Sequence, residues 1–523
     1  MNEQEKITAD EKRYLNELKE YFSSAENIFD VMVGAYSVIP IDAPANWGNA
    51  FSKEDELLRD CFRRYIDAIN AKDSFLGNPL IKQKKALETL KKDLENCRGA
   101  LEKSLLTTES GCVLEFCYRV IRYIDDICQG KDLYKNIMHE QYSKFVSLNK
   151  STIEKYKVLP TNDKDSLIAQ FSGMHDEEEE RYDILRKRFA ASSPSMMYGK
   201  LENYIILPAS TNIEIHNPKI SEVISDDINN KGKLRIGLFP ITNKAIKELF
   251  HLPDTQKGRF SIGKLKNNKI AEHFLSCYRN AYSICQKYKV DFAIFPEIFA
   301  PPELHEKIIE IVTGKEGNNI NLNKTPYLIW LGSSWENNTN KCRVIDRNGI
   351  TIYEYHKKMP FIYGEPPSEE TENLSLKDKT IHVIDVEGVG RFMTGICKDI
   401  TNDDFRSISK KVFASFLMLP SYTPSLDLDG CAEELSKEWI IVCCSNACAC
   451  SAIGKKEDNR ITSFISIPAK YGTGRDSRVE YWGCSASNMD CESICEGFIM
   501  EIDFTKTQWY QKQHVSPFIK RVT

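Results

Sequence analysis

At about residue 233 the chain changes its period, and that change limits what it can fold into. Upstream, apolar residues recur three and four positions apart. Downstream, short apolar runs bounded by Gly, Pro, Asn and Asp alternate with helical stretches. Strands alternating with helices point to an α/β layer architecture, and 523 residues exceed one ordinary core. The expected organisation is a helical domain over 1–150, a charged helix and linker over 151–232, and an α/β domain over 233–523.

In the first part, Tyr14, Leu15, Leu18, Tyr21 and Phe22 share one helix face, as do Leu58, Cys61, Phe62, Tyr65 and Ile69. Val113, Phe116, Cys117, Val120, Ile124 and Ile127 keep the same period for four turns. That last run contains Arg122-Tyr123-Ile124-Asp125-Asp126, which resembles the metal-binding signature of reverse transcriptases. There the paired aspartates sit in a turn between strands. Here the helical period runs straight through, so the pattern predicts a helix with Asp125 and Asp126 on its polar face. Between 151 and 232, Asp176–Glu180 followed by Arg181–Arg188 suits the macrodipole of one helix. Ala190–Ser195 reads as a break and Asp226–Lys233 as a linker.

Composition narrows the class. A net charge of −5 gives no reason to expect nucleic-acid binding, and no apolar run is long enough for a bilayer. The first residues lack the basic and apolar segments of a signal peptide, so a cytoplasmic location is expected. The seventeen cysteines then read as reduced thiols, not a disulfide framework.

Along the α/β part, strands are expected at Leu234–Pro240, up to Glu297, at Tyr327–Ser334, Phe413–Leu419, Ile440–Ser445 and Glu496–Asp503, with a helix around Ile270 to Tyr288. Cys342–Tyr353 reads as a hairpin with Asn348-Gly349 as a primed turn. Ile381–Asp385 and Arg391–Ile396 read as another. The long connection from Thr242 to Lys269 suits a lid or a partner surface.

Three strand ends carry chemistry. Phe292-Ala293-Ile294-Phe295-Pro296-Glu297 delivers a carboxylate, Tyr355-His356-Lys357-Lys358 delivers ammonium groups, and Gly395-Ile396-Cys397-Lys398-Asp399 delivers a thiol. Amide hydrolysis by a thiol needs a nucleophile, a base and a positive group for the oxyanion, and these residue types supply all three.

Taken in order, these motifs resemble the nitrilase, or carbon–nitrogen hydrolase, superfamily with its Glu–Lys–Cys triad. The resemblance spans about 233–505, includes Tyr363-Gly364-Glu365, Leu419-Pro420-Ser421 and Ser445-Asn446-Ala447, and leaves the N-terminal half unrecognised. It implies a four-layer α-β-β-α sandwich, preceded here by an all-α domain. It further implies Cys397 as nucleophile, Glu297 as general base and Lys357 as oxyanion stabiliser, helped by the backbone N–H of Lys398. Glu365, eight residues after Lys357, would orient the lysine or the attacking water, with Lys358 as the alternative register. Asp399 would anchor the strand-to-helix turn. Lys398 stands where the family usually has an aromatic residue.

Tyr422 and Trp482 read either as acyl-pocket walls or as core aromatics. Cys443, Cys444, Cys448, Cys450, Cys484, Cys491 and Cys495 lack the spacing of a zinc knuckle, so neither metal nor organic cofactor is expected. The expected activity is hydrolysis of a non-peptide C–N bond, an amide before a nitrile, by a homo-oligomer. Two alternatives stay open: an acyltransferase using the same thioester, and a sensor or defence module in which the helical part, with or without a protein partner, controls the hydrolase.

Overall fold

The computed structural model describes residues 3–25, 27–39, 53–70, 79–104, 112–127, 156–160, 167, 204–208, 212–241, 244–253, 258–316, 326–363, 369–376, 378–423, 427–448, 452–453, 460–471, 474–484, 497–511 and 514–522. It divides into two compact units, Met1–Thr161 with Tyr182–Asn212, and Asn162–Arg181 with Ile213–Thr523. Among the described residues no helix is long and apolar enough to cross a membrane.

Among its described residues unit 1 holds five helices, α1 (Glu3–Ser24), α2 (Ile28–Val38), α3 (Lys53–Asn70), α4 (Pro79–Ser104) and α5 (Cys112–Ile127). Helix α2 is buried along nearly its whole length, as its apolar sequence requires. Its start is fixed by Asn27, whose side chain accepts from the backbone of Phe29 and Asp30 while Asp30 answers back to Asn27. Leu18, Phe22, Phe29, Phe62, Leu94, Val120 and Ile124 form the core.

Unit 1 is not all helix. Strands β1 (Tyr156–Pro160) and β2 (Tyr204–Pro208) pair antiparallel. The Arg122–Asp126 motif is helical, but Asp125 is not solvated. It is 1% exposed and accepts a 3.0 Å hydrogen bond from the backbone N–H of Tyr204. A backbone donor at the start of β2 needed a partner, and this carboxylate supplies it. The side chain of Asp126 and the Asp176–Arg188 segment lie outside the described residues.

Unit 2 begins with β3 (Ile213–His216) and α6 (Ile220–Lys231), where a linker is expected from the sequence. The buried Ile213 and Ile215 alternate as in a half-buried strand, and Ile220, Ile224 and Ile228 make one helix face. In chain order there follow β4 (Lys233–Leu238), α7 (Ile246–Leu249), β5 (Arg259–Phe260), α8 (Asn268–Tyr288), β6 (Phe292–Ile294), α9 (His305–Val312), β7 (Leu328–Glu336), β8 (Thr339–Asp346), β9 (Thr351–His356), β10 (Ile362–Tyr363), β11 (Glu370–Glu372), β12 (Ile381–Val386) and β13 (Gly390–Thr394). The chain continues through α10 (Asp403–Lys411), β14 (Phe416–Ser421), α11 (Asp427–Lys437), β15 (Ile441–Asn446), β16 (Ala452–Ile453), β17 (Arg460–Tyr471), β18 (Gly474–Cys484), β19 (Phe498–Gln511) and β20 (His514–Arg521).

The main sheet runs β3-β12-β13-β14-β15-β17-β20-β19-β4-β6-β7-β8-β9, with β16 and β18 beside β17. Its two halves face each other. Phe292 of β6 meets Phe392 of β13 edge-on at 4.9 Å between ring centroids, and Trp330 of β7 donates Nε1–H to Thr394 Oγ1 at 2.7 Å. Helices α8 and α9 cover the outer face of the β4-β6-β7 half through Phe274, Tyr278 and Ile308, while α11 packs on β15, β17 and β18. The Tyr278 hydroxyl reaches the carbonyls of Phe299 and Leu331, so the aromatic core also holds the strand ends.

The Asn348-Gly349 hairpin joins β8 and β9, but only Gly349 takes a positive φ there. The Asp346 carboxylate accepts from the N–H groups of Asn348 and Ile350 and holds a wider loop than a two-residue primed turn. The primed geometry occurs instead between β7 and β8, at Asn337 (φ 51°) and Asn338 (φ 57°). Part of the long connection after β4 enters a small sheet, in which β5 pairs with β11 and β11 with β10.

Gly332 marks a close backbone approach at the strand end that carries Glu297. It has φ +86°, and a Cβ there would lie 2.3 Å from the Pro296 carbonyl oxygen, beside Glu297. Gly332→Ala should therefore lower the melting temperature by several degrees, since a strained backbone position costs about 1–3 kcal/mol. A thermal scan showing no loss would remove this account of the Gly332 backbone.

Candidate active site

The three strand-end motifs converge. Glu297 follows β6, Lys357 follows β9, and Cys397 follows β13, at the carboxyl ends of strands that belong to the two facing halves. A sheet places ligand-handling residues at this edge because the side chains leaving the strands there are no longer committed to the ladder.

Cys397 opens a short 3₁₀ turn, Cys397–Thr401, with φ +49°, a conformation non-glycine residues rarely adopt. Such strain persists only where the surroundings over-determine it. Asp399 provides that constraint. Its Oδ2 accepts from the backbone N–H of Ile396 (2.9 Å) and from the Tyr355 hydroxyl (3.0 Å). Its Oδ1 accepts from the backbone N–H groups of Lys358 (2.8 Å) and Met359 (2.7 Å). One carboxylate thus ties the cysteine turn to the chain leaving β9, which carries the lysine.

Lys357 Nζ donates to Glu297 Oε1 at 2.6 Å and to Glu372 Oε2 at 2.7 Å. Asn340 Nδ2 lies 2.8 Å from Glu297 Oε1 and 3.0 Å from Glu372 Oε1. The second Glu297 oxygen accepts from the Tyr422 backbone N–H at 3.0 Å, and the Cys397 thiol is near enough for the carboxylate to act on it electrostatically. Glu297, Lys357, Glu372, Asn340 and Cys397 are all buried. Lys358 points away, its ammonium 2.9 Å from the carbonyl oxygen of Asp378.

The charges follow from this burial. Desolvation raises the Glu297 carboxyl above its ordinary value, Lys357 opposes that rise, and Glu372 adds to it. Burial works against the charge of Lys357, but Glu297 and Glu372 outweigh it and hold the ammonium above its ordinary value. Burial pushes the Cys397 thiol up to about 12, with Glu297 adding and Lys357 opposing. The resting arrangement is a protonated thiol beside a carboxylate with raised proton affinity and a permanently charged ammonium.

The second acid against Lys357 is Glu372 of β11, fifteen residues on. Glu365 lies outside the described residues. Glu372 closes an acidic stretch, Glu369-Glu370-Thr371-Glu372, in which no motif marks one carboxylate over another. Asn340, at the start of β8, gave no sequence signal at all. Lys398 sits half-buried in the cysteine turn. Tyr422 meets Phe299 at 5.7 Å between ring centroids and gives its backbone N–H to the site, whereas Trp482 stacks on Phe498 of β19. Cys443 and Cys444 are buried on β15, and burial raises both thiols; Cys450, Cys491 and Cys495 lie outside the described residues.

No family model and no curated protein matches this chain. Among solved structures, similarity is found to Nit3 of Saccharomyces cerevisiae, a member of branch 10 of the nitrilase superfamily, at 15% identity and TM-score 0.30, covering 48% of this chain and 90% of that one. Similarity is also found to an amidase from Nesterenkonia sp., at 13% identity and TM-score 0.29, covering 50% and 93%. These neighbours belong to the nitrilase superfamily. At such identities and scores they carry no functional argument, which rests on the geometry above.

Asp399→Asn should disturb the thiol and the lysine together. An amide in place of the carboxylate turns a donor toward at least one pair of donors, at about 1–3 kcal/mol for each buried group left unpaired. The expected result is a lower melting temperature together with slower alkylation of Cys397, followed by peptide mass mapping. A variant with an unchanged Cys397 rate would show that Asp399 does not set the thiol's position.

Proposed function

We propose that unit 2 is a thiol carbon–nitrogen hydrolase, acting on amides in preference to nitriles through a Cys397 thioester. The observation that carries this reading is the buried Lys357–Glu297 ion pair with the buried Cys397 thiol close enough to feel both charges. A thiol held protonated and a carboxylate with raised proton affinity suit a nucleophile whose proton leaves only as it attacks.

In this mechanism Glu297 takes the Sγ proton while Sγ bonds to the amide carbon. The carbonyl π electrons move to oxygen, and the charge that develops there is stabilised by Lys357. Collapse of the tetrahedral adduct breaks the C–N bond, and protonated Glu297 gives its proton to the leaving nitrogen. Glu297 then deprotonates water, which attacks the thioester. The second collapse releases the acid and returns the proton to Cys397. Lys357 does not act as the acid because two carboxylates hold it charged. Glu372 and Asn340 position Lys357 and Glu297.

The same proposal includes the four-layer α-β-β-α arrangement, with the facing sheet halves as inner layers and the α8–α9 and α10–α11 helices as outer ones. A cytoplasmic location and pairing of copies into a homo-oligomer belong to it too, as does a regulatory or partner-binding role for the helical unit.

Incubation with a panel of amides and nitriles, followed by intact-mass spectrometry, tests the reaction. Wild type should gain an acyl mass that Cys397→Ala abolishes and that persists in Glu297→Gln, with turnover reduced by about 10²–10⁴ in the latter. Transfer of the acyl group to an added amine in preference to water would replace hydrolase by acyltransferase. An adduct on another cysteine would overturn the assignment.

The pH profile gives a separate check. Below the Glu297 pKa the carboxyl is protonated and cannot accept the thiol's proton, so kcat/KM should fall on the acid side. Because burial raises that pKa, the midpoint should lie above the ordinary glutamate range. A profile flat down to about pH 4.3, the ordinary glutamate value, would exclude Glu297 as the base.

A further inference from the structure

A second polar cluster lies outside the triad. Glu214 and His216 stand two residues apart on β3, and His382 lies directly across from Glu214 on the parallel strand β12. The period of two along a strand puts all three side chains on one face. His216 Nε2 lies 3.1 Å from His382 Nδ1, Glu214 Oε2 lies 3.2 Å from His382 Nδ1, and Glu214 Oε2 lies 3.9 Å from His216 Nε2.

We propose that Glu214, His216 and His382 bind one divalent first-row transition cation, zinc in the first place, which clips β3 to β12. Two of the three separations, 3.1 and 3.2 Å, are close to the spacing of about 3.3 Å that tetrahedral zinc with bonds of about 2.0–2.1 Å sets between its ligand atoms, and the third, 3.9 Å, is wider. Two imidazoles and a carboxylate are a donor set suited to such a cation.

Hydrogen bonding alone satisfies the cluster poorly. His382 Nδ1 can make a good hydrogen bond to only one of His216 Nε2 and Glu214 Oε2 at a time, so the two short contacts compete. A cation accepts all three at once. Both rings pack against Tyr353 of β9, which stacks on His382 at 4.8 Å and lies tilted against His216 at 4.9 Å between centroids. Glu214 keeps a 27% exposed side chain, which leaves an entry path. Asp378, near enough to act electrostatically on Glu214 and His382, adds negative charge to the neighbourhood.

The site is distinct from the triad and does not depend on the proposed reaction. Its test uses the full chain, stripped with a chelator, desalted, and given Zn²⁺ or Co²⁺. Wild type should retain one zinc per chain after gel filtration, melt at a higher temperature with zinc, and give a visible Co²⁺ spectrum without thiolate charge-transfer bands. His382→Gln and His216→Ala should bind at least tenfold more weakly and lose the thermal response. No retained zinc, thiolate bands that assign the ion to cysteines, or unchanged binding in both variants would overturn the proposal. Should either variant fail to fold, the wild-type Co²⁺ spectrum decides between histidine and cysteine ligands.

Discussion

One ammonium buried between two carboxylates governs the chemistry of unit 2. Taking three charges out of water is costly, and the group persists because every contact is short and hydrogen-bonded: Lys357 to Glu297 and Glu372, with Asn340 bridging both acids. Two carboxylates stand against one ammonium, an imbalance buried away from water. Desolvation gives Glu297 its raised proton affinity, with Lys357 opposing and Glu372 adding, and desolvation together with Glu297 keeps the Cys397 thiol protonated. In the proposed reaction these groups serve as base, oxyanion stabiliser and nucleophile.

That imbalance is useful only if the thiol stays beside it, and Asp399 ensures this. Its four hydrogen bonds join the turn holding Cys397 to the chain leaving β9, so the lysine and the nucleophile are fixed by the same buried carboxylate. Burial raises the Asp399 carboxyl, while the N–H groups of Ile396, Lys358 and Met359 favour its ionised form. The positive φ of Cys397 is therefore not an isolated strain. Release of the turn would leave backbone donors unpaired in the core, a larger loss than the strain that release would relieve.

What the sequence reveals here depends on how local the signal is. Glu297, Lys357 and Cys397 each end a recognisable apolar strand, so their approximate place is readable without coordinates. The strand pattern after 233 likewise anticipates β4, β6, β7 and the hairpins. Non-local partners are not readable in this way. His216 and His382 are 166 residues apart and meet only because β3 joins the edge of the sheet. Glu372 reaches Lys357 through a small sheet whose strands are two or three residues long. Asp125 sits on what the helical period marks as a polar face, yet that face is covered where β2 brings the Tyr204 N–H to it. Amphipathic patterning ranks residues by their own polarity and cannot see a backbone donor that needs an acceptor.

The placement of Glu372 also gives the long connection after β4 a structural role. β5 belongs to that connection and pairs with β11, with Glu372 directly across from Phe260, and the N–H of Asn373 bonds to the Phe260 carbonyl. The second carboxylate against Lys357 is thus held from the backbone side by chain that a simple α/β layer fold does not require. Glu297 is fixed by the sheet ends, through the Tyr422 N–H and the close packing of Gly332 on Pro296. Asn340 and Lys357 touch both acids, but the backbone carrying each acid is held by a different part of the chain. A displacement of β5 would act on Glu372 first, and through it on the charge balance around Lys357.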